Sequence, residues 1–126
     1  MTENAGKLEE IGVERRRSYR FPVKIGLRFT EHGKQQKTET KNISRFGFLF
    51  ESQDKFAIGS ILVMDMELPR DFSPRPVPVI VKVARISELG GGRYDVGVEI
   101  IKISATDLDK VIKYTISQQD EQIQAA

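Results

Sequence analysis

Apolar residues alternate with polar ones in several short segments along most of the chain. The first of these segments covers residues 21–29, and its apolar members are Phe21, Val23, Ile25, Leu27 and Phe29. The same spacing recurs in FGFLFES, SILVMDMEL, VPVIVKVARISEL and RYDVGVEII, and the polar stretch QQKTETKNIS fits a return strand. A period of two residues is typical of strands with one buried face. The pattern therefore predicts about six strands.

Turn-forming residues separate these segments. His32-Gly33-Lys34 and Gly90-Gly91-Gly92 are typical of hairpin turns, and four of the five prolines fall between residues 69 and 78, which predicts a long loop. No helical pattern lies between the strands. We therefore expect a mainly β fold, an antiparallel barrel or sandwich, rather than a parallel α/β sheet.

The end of the chain has a different period. Helical spacing relates Leu108, Val111, Ile112, Thr115, Ile116 and Gln119. Ser104 is a candidate N-cap, with Asp107 three residues on. One amphipathic helix is predicted, lying across the barrel or covering one of its open ends.

Composition excludes several kinds of chemistry. The chain has no Cys and one His, so disulfides, thiolate metal sites, cysteine nucleophiles and His-rich metal clusters are not expected. His32 falls in a predicted turn, and the carboxylates of Asp65 and Glu67 suit the solvent face of a strand. Without a signal peptide or a membrane-length apolar segment, we expect a cytoplasmic protein with no membrane insertion. We predict neither an enzyme nor a metal or cofactor site.

Positive charge is concentrated near the N-terminus. Residues 15–45 contain ten of the 20 Lys and Arg but only two of the 18 acidic residues, which gives this segment +8 and the remainder −6. Such a local field favours an anionic partner. Because the chain as a whole carries only +2, we do not expect DNA binding, which usually involves a wholly basic domain.

The densest charge is in RRRSYR, where Arg15, Arg16, Arg17 and Arg20 precede the first strand. A guanidinium group matches both phosphate oxygens and the O6/N7 edge of guanine with two parallel hydrogen bonds, and its plane stacks on bases. The segment suits a ligand with phosphates and purines. A solvated basic tail is the alternative.

A second candidate is NISRFG, residues 42–47. Asn42 and Ser44 are two residues apart, so in a strand both side chains project from the same face. Gly47 interrupts a run of phenylalanines, and a glycine there indicates a bulge, a positive φ or the close approach of another group. We interpret this segment as a polar recognition face.

Taken together, these two segments resemble the paired motifs of the PilZ domain. Arg16 and Arg20 form RxxxR, and some twenty residues later Asn42, Ser44 and Gly47 form NxSxxG. The YDVGVEI ending of the last strand, with Gly97, adds to the likeness. The resemblance implies a six-stranded antiparallel β-barrel with one C-terminal α-helix. It places the domain at residues 15–118, between a flexible tail at 1–14 and a C-terminal tail at 119–126.

The resemblance also implies a ligand, the bacterial second messenger cyclic di-GMP. Arg16 and Arg20 are expected to contact phosphates and guanine edges, Asn42 and Ser44 to bind a guanine, and Gly47 to let the ligand approach. Arg15 suggests two stacked ligand molecules. Three secondary candidates are Arg17, Arg45 and Gly97.

The implied role is that of a receptor in motility, biofilm adhesion or polysaccharide secretion. In this hypothesis the arginine segment is mobile in the free protein, orders over the ligand and so signals to an unidentified partner protein. Two alternatives remain open at this point. One is a PilZ-fold adaptor that contacts proteins without nucleotide, and the other is a small RNA-binding barrel.

Overall fold

The part of the protein that the structure describes folds as a closed antiparallel β-barrel with one helix. The structure, a computed structural model, describes residues 21–44 and 46–125, and side chains only as far as residue 120. Its elements are β1 (Gly26–Glu31), β2 (Lys34–Ile43), β3 (Gly47–Ser52), β4 (Ile61–Glu67), β5 (Val77–Gly90), β6 (Arg93–Lys102) and α1 (Ala105–Ala125). The strand order around the barrel is β1-β2-β3-β6-β5-β4. The predicted fold class is confirmed.

The interior of the barrel is filled by every second residue of its strands, as the apolar pattern predicts. The largest fully buried side chains are Ile25, Leu27, Phe48, Phe50, Met64, Met66, Val77, Val79, Val81, Val83 and Val96. Full burial of one such side chain stabilises the fold by about 1.5–3 kcal/mol. The intervening residues lie on the outer surface, where any binding face of a filled barrel must be.

Both predicted hairpin turns are present. His32 (φ 53°) and Gly33 (φ 75°) link the paired residues Glu31 and Lys34, and two consecutive positive φ values match the twist of a two-residue hairpin. Gly90, Gly91 and Gly92 also have positive φ and connect β5 to β6.

The first strand starts later than its apolar pattern predicts. Regular pairing begins at Gly26, although Val23 and Ile25 are buried as expected. Before β1, the side chain of the buried Thr40 in β2 forms hydrogen bonds with the backbone of Val23 and Ile25. The Ile25 N–H donates to Thr40 Oγ1 (2.9 Å), and that hydroxyl donates to the Val23 carbonyl (2.5 Å). The alternation of apolar residues thus predicts burial correctly. Before Gly26, however, the Thr40 hydroxyl takes the place of backbone hydrogen-bond partners.

Replacing Thr40 by Val should lower the free energy of unfolding by about 1–3 kcal/mol, because a buried N–H and a buried carbonyl lose their partner. Urea unfolding measures this change. The matched control is Thr30→Val on the exposed side of β1, which should have almost no effect. Equal stability of the two variants would contradict the anchoring role of Thr40.

The helix begins as predicted, and it extends beyond the predicted domain boundary. The Asp107 N–H donates to Ser104 Oγ (3.1 Å), which confirms the N-cap. The helix continues to Ala125, past the domain boundary predicted at residue 118. No Gly or Pro interrupts QQDEQIQA, and most of its residues favour helix. Buried Val111 and Thr115 face the barrel, and Tyr114 contacts Phe72 edge-on at 5.1 Å between ring centroids.

Candidate functional site

The NxSxxG residues lie around the tight turn between β2 and β3. Asn42 is in the last part of β2, Ser44 follows that strand, and Gly47 is the first residue of β3. The Ser44 N–H donates to the Gly47 carbonyl (2.8 Å), and the Phe46 N–H donates to Ser44 Oγ (3.3 Å). Ser44 lies one residue beyond the end of β2, so the strand-face argument applies to Asn42 and does not extend to Ser44.

Gly47 is required by its neighbours in the barrel. A Cβ atom at Gly47 would overlap the Val98 carbonyl oxygen and lie 3.0 Å from the Val98 carbonyl carbon. The adjacent Phe46 carbonyl accepts a hydrogen bond from the Ile100 N–H (2.8 Å). Of the three reasons weighed for a glycine here, close approach is the one observed, and the approaching group is the backbone of β6.

A continuous row of residues crosses four strands on the outer surface, and we call it the outer row. Asn42 pairs with Leu49, Leu49 with Gly97, and Gly97 with Arg85. Directly opposite residues of antiparallel strands share a face. Phe48 and Phe50 point into the core, so Leu49 points outward with its partners. The outer row combines an amide, an apolar side chain, a bare glycine and a guanidinium group.

The chain preceding β1 returns to the same place. Phe21 and Ile43 form a two-way backbone bridge, with N–H to carbonyl distances of 2.8 and 2.9 Å. Ile43 lies between Asn42 and Ser44 in sequence, and Phe21 directly follows Arg20. The bridge therefore joins the residue that follows RxxxR to the second residue of NxSxxG, although the two are separated by some twenty residues.

The predicted arginines themselves are not placed by the structure. Arg15, Arg16, Arg17, Arg20 and Arg45 lie outside the described residues. Of the predicted site residues, the structure brings together Asn42, Ser44 and Gly47 around one turn and places Gly97 two strands away from Asn42.

Beside the outer row lies a network of ion pairs centred on Lys41. Its Nζ is 2.6 Å from Asp95 Oδ1 and 3.4 Å from Glu51 Oε1, and Arg93 Nη1 is 3.2 Å from Glu51 Oε2. The hydrogen bond to Asp95 raises the pKa of Lys41 above its ordinary value of 10.5. Lys41 therefore stays charged at neutral pH, and its pairing is lost only as the pH rises through that elevated pKa. The positive charge of Lys41 offsets the negative charges of Asp95 and Glu51, which would otherwise repel an anion bound on the outer row.

Replacing Lys41 by Ala should weaken binding of an anionic ligand by about threefold, because Asp95 and Glu51 lose a compensating charge. Stability should fall by less than about 1 kcal/mol, since the pair is partly exposed. Titrations at two salt concentrations measure the effect, which should shrink as salt rises. Lys37→Ala, on the same strand, is the control, and an equal loss in both variants would contradict a local role for Lys41.

Two further observations concern the described residues alone. Among them, no three or more His, Asp or Glu side chains are grouped so as to hold a metal ion. Within the same part of the chain, no helix has both the length and the apolar character needed to cross a membrane.

Sequence reasoning missed Leu49, Lys41 and Arg85. Leu49 stands at a polar-face position of FGFLFES, and an apolar residue there was the available sign. Lys41 and Arg85 join the site through strand register and through irregular pairing at Thr40/Asn42 and Val83/Arg85. Neither register nor irregularity can be derived from the alternation of apolar residues.

Several solved structures resemble this chain in fold. Solved structures similar to it include the Bacillus subtilis inhibitor of motility MotI/DgrA (TM-score 0.71, 23% identity, covering 86% of this chain and 53% of that one). Another is the PilZ domain of YcgR from Escherichia coli with c-di-GMP (TM-score 0.69, 11% identity, covering 90% of this chain and 100% of that one). A third is the MrkH–c-di-GMP complex of K. pneumonia (TM-score 0.70, 14% identity, covering 90% of this chain and 57% of that one).

These structural likenesses show a shared fold. This chain spans little more than half the length of the MotI/DgrA and MrkH chains. Among curated protein sequences no significant match was found. The family profile described as PilZ domain matches residues 14–117, which is most of the chain. The protein therefore belongs to the PilZ domain family.

Proposed function

We propose that this protein is a receptor for cyclic di-GMP. The observation that carries the proposal is the backbone bridge between Phe21 and Ile43. It anchors the chain one residue after Arg20 at a point between Asn42 and Ser44. Arginine side chains on the preceding segment can therefore reach a ligand that lies on the outer row.

The arginine segment and the outer row complement the chemical groups of cyclic di-GMP. Cyclic di-GMP carries two phosphates and two guanines. The arginines supply bidentate donors for phosphate oxygens and for guanine, and Asn42 supplies an amide that can donate to and accept from a base edge. Leu49 offers an apolar surface beneath the base. Two of the similar structures, those of YcgR and MrkH, are described as containing c-di-GMP, which supports the choice of ligand.

Binding in this proposal changes conformation and involves no covalent step. Arg16 and Arg20 close over the ligand, with Arg15 and Arg17 beside them, and Phe21 acts as the fixed end of the segment. Ordering this segment costs conformational entropy, which the charge-assisted hydrogen bonds must exceed. Residues 15–118 form the binding unit, and the surface created by closure is read by a separate partner protein.

Calorimetric titration of the purified full chain with cyclic di-GMP tests the proposal, with GTP and cyclic di-AMP as controls. We expect saturable heat with cyclic di-GMP at micromolar concentrations and much weaker binding of the other two nucleotides. Absence of heat would refute the receptor role and favour a protein-binding adaptor. Tighter binding of single-stranded RNA than of cyclic di-GMP in a parallel gel shift would instead favour the RNA-binding alternative.

A further inference from the structure

Arg85 is held against the outer row by a glycine. Gly97 lies opposite Arg85 in the β5–β6 ladder, and its missing side chain leaves room for the arginine. A Cβ atom at Gly97 would lie 3.3 Å from Arg85 Nε and 3.6 Å from both Arg85 Cβ and Nη2. The arginine side chain therefore lies over Gly97, which pairs with Leu49 on its other side.

Two other arginines of the barrel surface pair with carboxylates. Arg28 Nη2 is 3.0 Å from Glu67 Oε2, and Arg93 pairs with Glu51. Among the side chains of residues 21–44 and 46–120, no acidic group lies within ion-pair distance of Arg85, which is exposed. Its charge and its donors are therefore available to a ligand.

The spacing of the outer row suits a flat base. Neighbouring strands are about 4.8 Å apart, so Asn42 and Gly97, two strands apart, are separated by roughly 10 Å. Leu49 forms the floor between them. A purine lying on Leu49 has the Asn42 amide along one edge and the Arg85 guanidinium group along another.

We propose that Arg85 determines the base specificity of the site by donating to the O6 and N7 acceptors of one guanine of the ligand. The assignment rests on the proposed cyclic di-GMP function and adds a residue from outside the two motifs. Guanine presents two acceptors along this edge, whereas adenine presents an acceptor and an N6 amino donor. The donors of Arg85 match the first arrangement and oppose the amino group in the second.

The experiment measures the affinities of four proteins for cyclic di-GMP and for cyclic di-AMP by titration. The proteins are the wild type, Arg85→Ala, Arg85→Lys and the control Arg70→Ala, which removes an exposed arginine from the loop after β4. Arg85→Ala should bind cyclic di-GMP roughly five- to hundredfold more weakly, the range for one bidentate arginine–guanine pair. Its affinity for cyclic di-AMP should stay the same or rise. Arg85→Lys keeps the charge but loses the planar fork, so it should not restore the discrimination.

A fourth variant perturbs Arg85 without removing it. In Gly97→Ala the atoms nearest to the new methyl group belong to the Arg85 side chain, and the tightest contact is with its flexible Nε, so the fold should survive while the guanidinium group moves. Weaker cyclic di-GMP binding with an unchanged melting temperature is the expected result. If Arg85→Ala and Arg70→Ala bind alike while the wild type binds cyclic di-GMP, the Arg85 assignment alone is overturned. If the wild type does not bind, the receptor function fails and the assignment falls with it.

Discussion

Replacing Gly47 by Ala is expected to destabilise the barrel by about 3 kcal/mol or more, because the added methyl group overlaps the Val98 carbonyl oxygen. Neither group can move easily, since β3 and β6 are paired along their full contact from Gly47 to Ser52. A loss of this size is a large part of the 5–15 kcal/mol that stabilises a typical domain. The melting temperature should fall by roughly 10 °C or more.

Gly97→Ala is the matched control, because it adds the same methyl group to the neighbouring strand. Its new Cβ would meet a side chain instead of backbone, so its cost should stay below about 1 kcal/mol. Thermal unfolding of the two variants gives the comparison. If Gly47→Ala melts like the wild type and loses only ligand affinity, the glycine serves the ligand and its packing against β6 is unimportant.

The double replacement of Arg16 and Arg20 by Ala should reduce cyclic di-GMP affinity by more than about a hundredfold. Each arginine in the proposal makes charge-assisted hydrogen bonds, and one such bond contributes about 1.5–3 kcal/mol. Calorimetric titration measures the loss. Each single variant should show a smaller loss than the pair.

Stability separates this effect from a structural one. The variant should keep the wild-type melting temperature without ligand, because both arginines precede the apolar pattern that fills the barrel. Added cyclic di-GMP should raise the melting temperature of the wild type and not that of the variant. Arg70→Ala should behave like the wild type in both measurements. Unchanged affinity, or an unfolded variant, would contradict the clamp role of the two arginines.

How far the sequence predicts the fold depends on what each pattern measures. The apolar alternation in residues 21–29 correctly predicts burial of Val23 and Ile25, because burial follows directly from hydrophobicity. It does not predict that the ladder begins only at Gly26, because Thr40 replaces backbone partners through its hydroxyl. The hairpin at His32-Gly33 is predictable from local turn chemistry. The end of α1 is harder to predict, because no Gly or Pro follows residue 118 to stop the helix.

In the candidate site, too, local motifs are predictable from sequence, whereas contacts between strands are not. Motif spacing identifies Asn42, Ser44 and Gly47, and the resemblance to the PilZ domain brings the arginines into one hypothesis with them. Arg85 and Lys41 are beyond such reasoning, since each reaches the site through cross-strand register beside an irregularity. The reason for Gly47 is equally non-local, because the atom that excludes a side chain belongs to Val98, some fifty residues away.

The most direct test of the central claim, that the outer row binds cyclic di-GMP, is a titration of the isotope-labelled protein followed through its backbone amide NMR signals. We expect large shifts for Asn42, Ser44, Leu49 and Gly97 and for the arginine segment at residues 15–20. Amides on the β1–β4 side of the barrel, such as those of Thr30 and Val63, should not move. Absence of any shift, or shifts confined to the β1–β4 side, would contradict the claim.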